Sequence, residues 1–216
     1  MKINTMPMHP AKVYHIYNRG NNREDLFKEE RNYPYFLDKY FQYVSPVADT
    51  YAYCLMKNHF HILLRIKNED EILNHRISGS STPSLEAKVS LNSDEPSKII
   101  IKAFASFFKS YAQSINKAYG RTGSLFEEPF RRIEVSNDSY FSELIRYIHF
   151  NPQKHGFTRD FTQYKHYSYH ELISEENTRL DRKTVSECFV GMNGFQSFHK
   201  DNPWIITPLS PSPACP

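Results

Sequence analysis

Apolar and polar positions alternate along the first third of the chain with two different periods, and the changes of period mark out the elements. Val13–Tyr17 alternates and runs into Asn-Arg-Gly-Asn-Asn, a strand that ends in a loop. Tyr33, Phe36, Leu37, Tyr40 and Phe41 recur at helical spacing, and Ser45-Pro46 stops that helix. Thr50–Met56 is again strand-like. Lys57-Asn58 makes a tight turn, and a third strand follows from His59 to Ile66. Ile62–Ile66 is apolar and branched apart from Arg65, as suits a strand. Strand, helix, strand, strand is the first half of a ferredoxin-like βαββαβ unit.

Glu69–Ser97 breaks the pattern. It is rich in Ser, Asn and Glu, holds Gly79 and Pro83, and is expected to be a mobile surface excursion with one short helix near Glu71–His75. Helical spacing resumes over Ile99–Tyr119, with Ile100, Phe104, Phe107, Phe108 and Tyr111 on one side. Arg121-Thr-Gly123 turns the chain, and Phe130–Val135 is the fourth strand. Ser136, Asn137 and Asp138 are all good caps for the next helix, whose apolar stripe is Phe141, Leu144, Ile145 and Ile148. Pro152 is expected to end it at Asn151. Beyond His166, YSYHELI and KTVSECFVGM look helical, and Phe195–His199 closes the fold. The expected architecture is α+β: a ferredoxin-like antiparallel sheet with helices on one face, plus a mostly helical C-terminal extension. The expected division is residues 1–165 for the main domain (with the insertion at about 69–97), 166–205 for the helical extension and 206–216 for a disordered Pro-rich tail.

Composition narrows the class. The 216 residues suffice for one domain and an extension. The sequence shows neither a signal-peptide pattern nor a run of ~18–20 apolar residues that would span a bilayer, so no membrane partner is expected. Cys54, Cys188 and Cys215 are far apart and odd in number, which fits a reducing cytoplasm. A net charge of +3 says little about a polyanionic partner. Fifteen Tyr and sixteen Phe are core material, and also suit a surface on which bases stack. Lys98, Lys102, Lys109 and Lys117 give the second long helix a basic cast, read equally as a solvated face or one turned to nucleic acid.

Two stretches carry candidate chemistry. In a strand, His59 and His61 point to one face and Phe60 to the other, so two imidazoles stand side by side. They are half of a metal site, or two strand histidines without a ligand. Tyr147 and Asn151 are only about 40° apart around a helix, at the margin of its apolar stripe. Tyr140 and Glu143 share that margin. The plain alternative is a Tyr that packs by its ring and an Asn that caps the helix C-terminus. Taken together, two imidazoles and one amide oxygen would hold a divalent ion with positions left open for phosphate oxygens. A tyrosine one turn away would then stand beside a bound phosphodiester as a nucleophile. Its product would be a 5′-phosphotyrosyl link and a free 3′-hydroxyl. Arg131 and Arg132 on the fourth strand and Lys154 after the tyrosine suit a phosphate backbone, or are ordinary surface charge.

His59-Phe60-His61 resembles the His-hydrophobe-His signature of HUH single-strand nucleases. YIHFNPQKHG at Tyr147–Gly156 resembles the nucleophile helix of single-tyrosine insertion-sequence transposases, above all their REP-associated tyrosine transposase branch. YHIYNRGNN and YCLMKNHFHILL are also similar to that family, in the expected order, and the resemblance spans about residues 10–170. Lys57 departs from it, standing where the family places Pro. The resemblance implies Mg²⁺ or Mn²⁺, and cleavage and rejoining of single-stranded DNA near hairpins such as REP-like or insertion-sequence ends. Carried over, His59, His61 and Asn151 become metal ligands and Tyr147 the nucleophile. Three rival readings stay open: a non-catalytic nucleic-acid-binding module of the same fold, a hydrolytic metal phosphodiesterase, and a domesticated transposase kept for another cellular task. A homodimer with shared active sites is also open.

Overall fold

The computed structural model describes residues 7–78 and 96–201. The insertion expected at about 69–97 lies outside the described residues from residue 79 to 95, and the Pro-rich tail falls wholly outside them. Four strands form one antiparallel sheet: β1 (Val13–Arg19), β2 (Ala48–Met56), β3 (His59–Ile66) and β4 (Arg131–Val135), in the order β2-β3-β1-β4. With α1 (Asn32–Val44) between β1 and β2, and α3 (Pro96–Ala118) between β3 and β4, this is the ferredoxin-like βαββαβ unit. Helix α2 (Glu69–Ser78) precedes α3 and is longer than the short helix expected near Glu71–His75.

The period of two sorts the side chains of β1 and β3 into two layers. Tyr14 and Ile16 of β1 share a face with Phe60, Ile62 and Leu64 of β3, and that face meets α1 and α3. Phe36 is the hub, with ring centroids 5.1 Å from Phe60, 5.0 Å from Phe107 and 5.0 Å from Tyr111. Each of these fully buried aromatic or aliphatic side chains contributes about 1.5–3 kcal/mol by leaving water. Tyr111 is satisfied there by donating its hydroxyl to the Leu26 carbonyl at 2.8 Å. The lysines of α3 therefore ride on a helix on the side of the sheet opposite to His59 and His61.

The other face of the sheet carries His15, Tyr17, His59 and His61, and it is crossed by α4 (Asp138–Lys154). Asn137 is the cap that forms: its backbone is extended and its side chain accepts from the Tyr140 amide at 2.7 Å. Helix α4 does not end at Asn151. It runs through Pro152 to Lys154, and its last turn is held by His155 N–H to the Asn151 carbonyl at 2.9 Å and Phe157 N–H to the Pro152 carbonyl at 2.8 Å. Proline costs one backbone hydrogen bond, and so near the C-terminus the remaining bonds carry the turn. Asn151 is therefore inside the helix, not its cap.

The C-terminal segment closes the exposed edge of β2, which would otherwise be open to strand pairing. Leu55 N–H donates to the His166 carbonyl at 2.8 Å, Ser168 N–H to the Tyr53 carbonyl at 2.9 Å and Asp181 N–H to the Thr50 carbonyl at 2.8 Å. Three helices follow, α5 (Tyr169–Ile173), α6 (Arg182–Cys188) and α7 (Met192–Asp201). The helical stretch expected across KTVSECFVGM is split after Cys188, where Val190 and Gly191 take positive φ. Leu172, Val185 and Phe195 join the same buried cluster as the sheet.

Candidate functional site

The tight β2–β3 turn puts Asn58 beside His59, and Asn58 fixes how that imidazole can act. His59 Nδ1 lies 2.7 Å from Asn58 Oδ1, which can only accept, so Nδ1 carries the proton. Nε2 is left with its lone pair, buried and without a hydrogen-bond partner. His61, two residues on, is on the same face, with ring centroids 5.6 Å apart and planes at 84°. Its Nδ1 meets His15 Nε2 at 2.9 Å, and its Nε2 is likewise buried and unpartnered. Tyr147 descends from α4 edge-on to both: its ring centroid is 5.8 Å from that of His61 and 6.3 Å from that of His15. One turn further along, Asn151 is fully buried, and neither its amide oxygen nor its amide nitrogen has a hydrogen-bond partner.

Burial makes these imidazoles neutral. Desolvation, helped by the nearby His155 and Arg19, lowers His59 to about 4. Desolvation lowers His15 to about 3, and it holds His61 well below the usual range, with His15 and His59 adding to the effect. A neutral imidazole is suited to hold a metal ion and not to bind phosphate as a cation. Among the described residues no group of three or more His, Cys, Asp or Glu side chains is placed to hold a metal. The donors here are two imidazoles and one carboxamide. A buried, unpartnered Nε2 on each of two imidazoles and an orphaned buried amide fit a divalent ion, because such groups cost about 1–3 kcal/mol each when nothing binds them.

Beside the histidines opens a cleft of about 230 Å³, lined by Tyr17, Arg19, Arg23, Arg131, His155 and Phe157 among others. Glu127 pairs with Arg19 and lies 3.7 Å from Arg131. Three arginines against one carboxylate leave the cleft positive. Arg23 reaches it from a tight loop in which Asn22 and Arg23 both take positive φ, 53° and 62°. Gly20 makes that loop possible, since a Cβ there would lie 2.0 Å from the Glu24 carbonyl oxygen. Lys154 stands over the Tyr147 ring, its Nζ 5.1 Å from the centroid.

The structure thus sets Tyr147 against His61, with His59 beside His61, buries Asn151 on the same helix as Tyr147, and sets Arg131 and Lys154 at the margin. Arg132 points away. It pairs across from Ile16, is nearly buried, and covers the Phe130 ring at 5.0 Å on the α3 side. Sequence reasoning missed His15, Arg19, Arg23 and Phe157. For His15 and Arg19 a signal existed: on β1 they follow the same period of two as His59 and His61 on its antiparallel partner.

No protein-family model and no curated protein matches this chain. The fold does have a solved counterpart. The chain matches the structure of a REP-associated tyrosine transposase bound to a REP hairpin, with a TM-score of 0.56 and 11% identity over 79% of this chain and 83% of the other. At that identity the likeness establishes a shared fold. No described helix is long and apolar enough to cross a membrane.

Proposed function

We propose that the protein binds single-stranded DNA next to a hairpin and that Tyr147, with a divalent ion held by His59, His61 and Asn151, cleaves and rejoins it. The observation that carries this reading is that Tyr147 meets His61 edge-on, and that His61 and its neighbour His59 each keep a buried, unpartnered Nε2. The fold it shares with a transposase bound to a DNA hairpin supports the nucleic-acid partner. Mg²⁺ or Mn²⁺ bound there would neutralise charge on the phosphate under attack. The Tyr147 hydroxyl oxygen forms a bond to phosphorus as the bond from phosphorus to the 3′ oxygen breaks. The tyrosine proton ends on the departing 3′-hydroxyl, and a 5′-phosphotyrosyl link remains for rejoining. Arg19, Arg23 and Arg131 would hold the flanking phosphates in the cleft. Among the described residues no third His, Cys, Asp or Glu joins the two imidazoles, which favours a second reading, a binding module of the same fold without chemistry.

The test is a denaturing gel of protein incubated with Mn²⁺ and end-labelled, hairpin-bearing single strands. A covalent adduct is expected, absent in Tyr147→Phe although that variant still binds DNA. Its ring keeps the contacts with His15 and His61, so stability should change by less than about 1 kcal/mol. Cleavage into plain hydrolysed ends without an adduct would make the protein a metal phosphodiesterase. Binding with no cleavage and no metal effect would leave only the binding module.

A further inference from the structure

We infer that His15 is a positioning residue that sets the proton of His61, so that His61 Nε2 keeps a lone pair toward α4. The inference rests on the metal reading above, but concerns a residue outside the ligand set. His15 is buried on β1, its ring stacked on that of His61 with centroids 5.1 Å apart and planes at 22°. The 2.9 Å contact between His15 Nε2 and His61 Nδ1 holds one hydrogen. Two arrangements are open to a pair of neutral imidazoles. In the first, His61 Nδ1–H donates to His15 Nε2, His15 carries its proton on Nδ1, and His61 Nε2 bears a lone pair. In the second, His15 Nε2–H donates to His61 Nδ1, and His61 must carry its own proton on Nε2.

Hydrogen-bond counting does not separate them, because His15 Nδ1 and His61 Nε2 are both buried without partners. Electrostatics does. Lys154, at the end of α4, stands with its Nζ 5.1 Å from the Tyr147 ring, whose centroid is 5.8 Å from that of His61, and a lone pair on the side of that positive charge is favoured over an N–H dipole. His59 does not rescue the second arrangement, since its Nε2 is not within hydrogen-bond geometry of His61. The neighbouring strand position offers a parallel. Asn58 holds the proton of His59 on Nδ1, and the first arrangement gives His61 the same polarity. The two imidazoles then present matched Nε2 lone pairs, each backed by its own acceptor, as ligating histidines generally are.

The experiment is nitrogen NMR of histidine-labelled protein, first metal-free and then titrated with Mg²⁺ alone. In the metal-free protein His61 is expected to carry its proton on Nδ1 and His15 on Nδ1. A proton on His61 Nε2 with a matching proton on His15 Nε2 overturns the inference. Mg²⁺ should shift His59 and His61 Nε2 and leave the Nδ1 proton of His61 in place. If Mg²⁺ shifts nothing while the metal-free spectrum shows the expected protons, the metal reading fails and the assignment of His15 stands. Variants add a second readout. His15→Gln retains an acceptor for His61 Nδ1–H and should bind Mg²⁺ within a few-fold of wild type. His15→Leu removes the acceptor and should weaken Mg²⁺ by about 10–100-fold. Equal loss in both variants, each folded by circular dichroism, would reduce His15 to packing and also overturn the inference.

Discussion

Replacing His199 by Phe should make the protein less sensitive to acid, and the size of the change follows from a buried relay. His199 Nδ1–H donates to the Phe195 carbonyl at 2.7 Å, which leaves His199 Nε2 to accept from His149 Nδ1–H at 2.9 Å. His149 Nε2 then accepts from the Ser168 hydroxyl at 2.8 Å. A proton on His199 Nε2 would face the N–H of His149, so the relay holds both rings neutral. Desolvation lowers His199 to about 4 and His149 well below the usual range. In the unfolded chain both return to about 6.5. Because the folded values are depressed, the unfolded state binds more protons below pH 6.5 or so. The contribution is complete above that value and is lost as pH falls toward 4. At about pH 5, one and a half units below the unfolded value, His199 alone removes ~2 kcal/mol at ~1.4 kcal/mol per unit. His149, held well below the usual range by burial, adds to the loss, which is a large share of a typical ~5–15 kcal/mol. Urea unfolding at about pH 8 and about pH 5 measures the loss. His199→Phe strips His149 Nδ1–H of its acceptor and should cost ~1–3 kcal/mol at the higher pH. Its loss between the two pH values should nevertheless be ~2 kcal/mol smaller than that of wild type. Desolvation, the largest cause of the His149 depression, stays in the variant, and the buried histidines outside the relay and the carboxylates are common to both proteins. An unchanged pH-dependent loss in the variant would refute the argument.

Two further outcomes test the site and its support. Asn151→Leu should raise metal-free stability by ~1–2 kcal/mol, because it removes two buried, unpartnered polar atoms, while it lowers Mn²⁺ affinity in calorimetry. A destabilised variant in thermal unfolding would mean that Asn151 has partners in solution. Gly20→Ala should lower stability by ~1–3 kcal/mol and weaken single-strand binding, since the new Cβ collides with the Glu24 carbonyl and shifts the loop that carries Arg23. An unchanged urea midpoint would show that the loop yields without cost.

What could be read from sequence alone were the features with short-range causes. The period-two run at His59–Ile66 turned both imidazoles to one face and Phe60 to the other, because strand geometry fixes alternation residue by residue. Helical spacing put Tyr147 one turn before Asn151 for the same reason. The order of strands and helices then left few topologies, and the ferredoxin-like sheet is the one that forms. Pro152 misled because local preference weighs little against tertiary packing in a helix whose last turn keeps its other bonds. Arg131 and Arg132 are adjacent in sequence, yet the pleat sends one to the cleft and the other over the Phe130 ring on the opposite face. Only the tertiary structure decided which helix covers the histidine face, since α3 and α4 are both amphipathic and either could lie on either side. It also decided that His15, 46 positions earlier, would meet His61, and that His199 would meet His149. Those contacts depend on strand register and on the docking of the C-terminal helices along β2. Both are set by burial summed over many residues, which no single motif along the chain encodes.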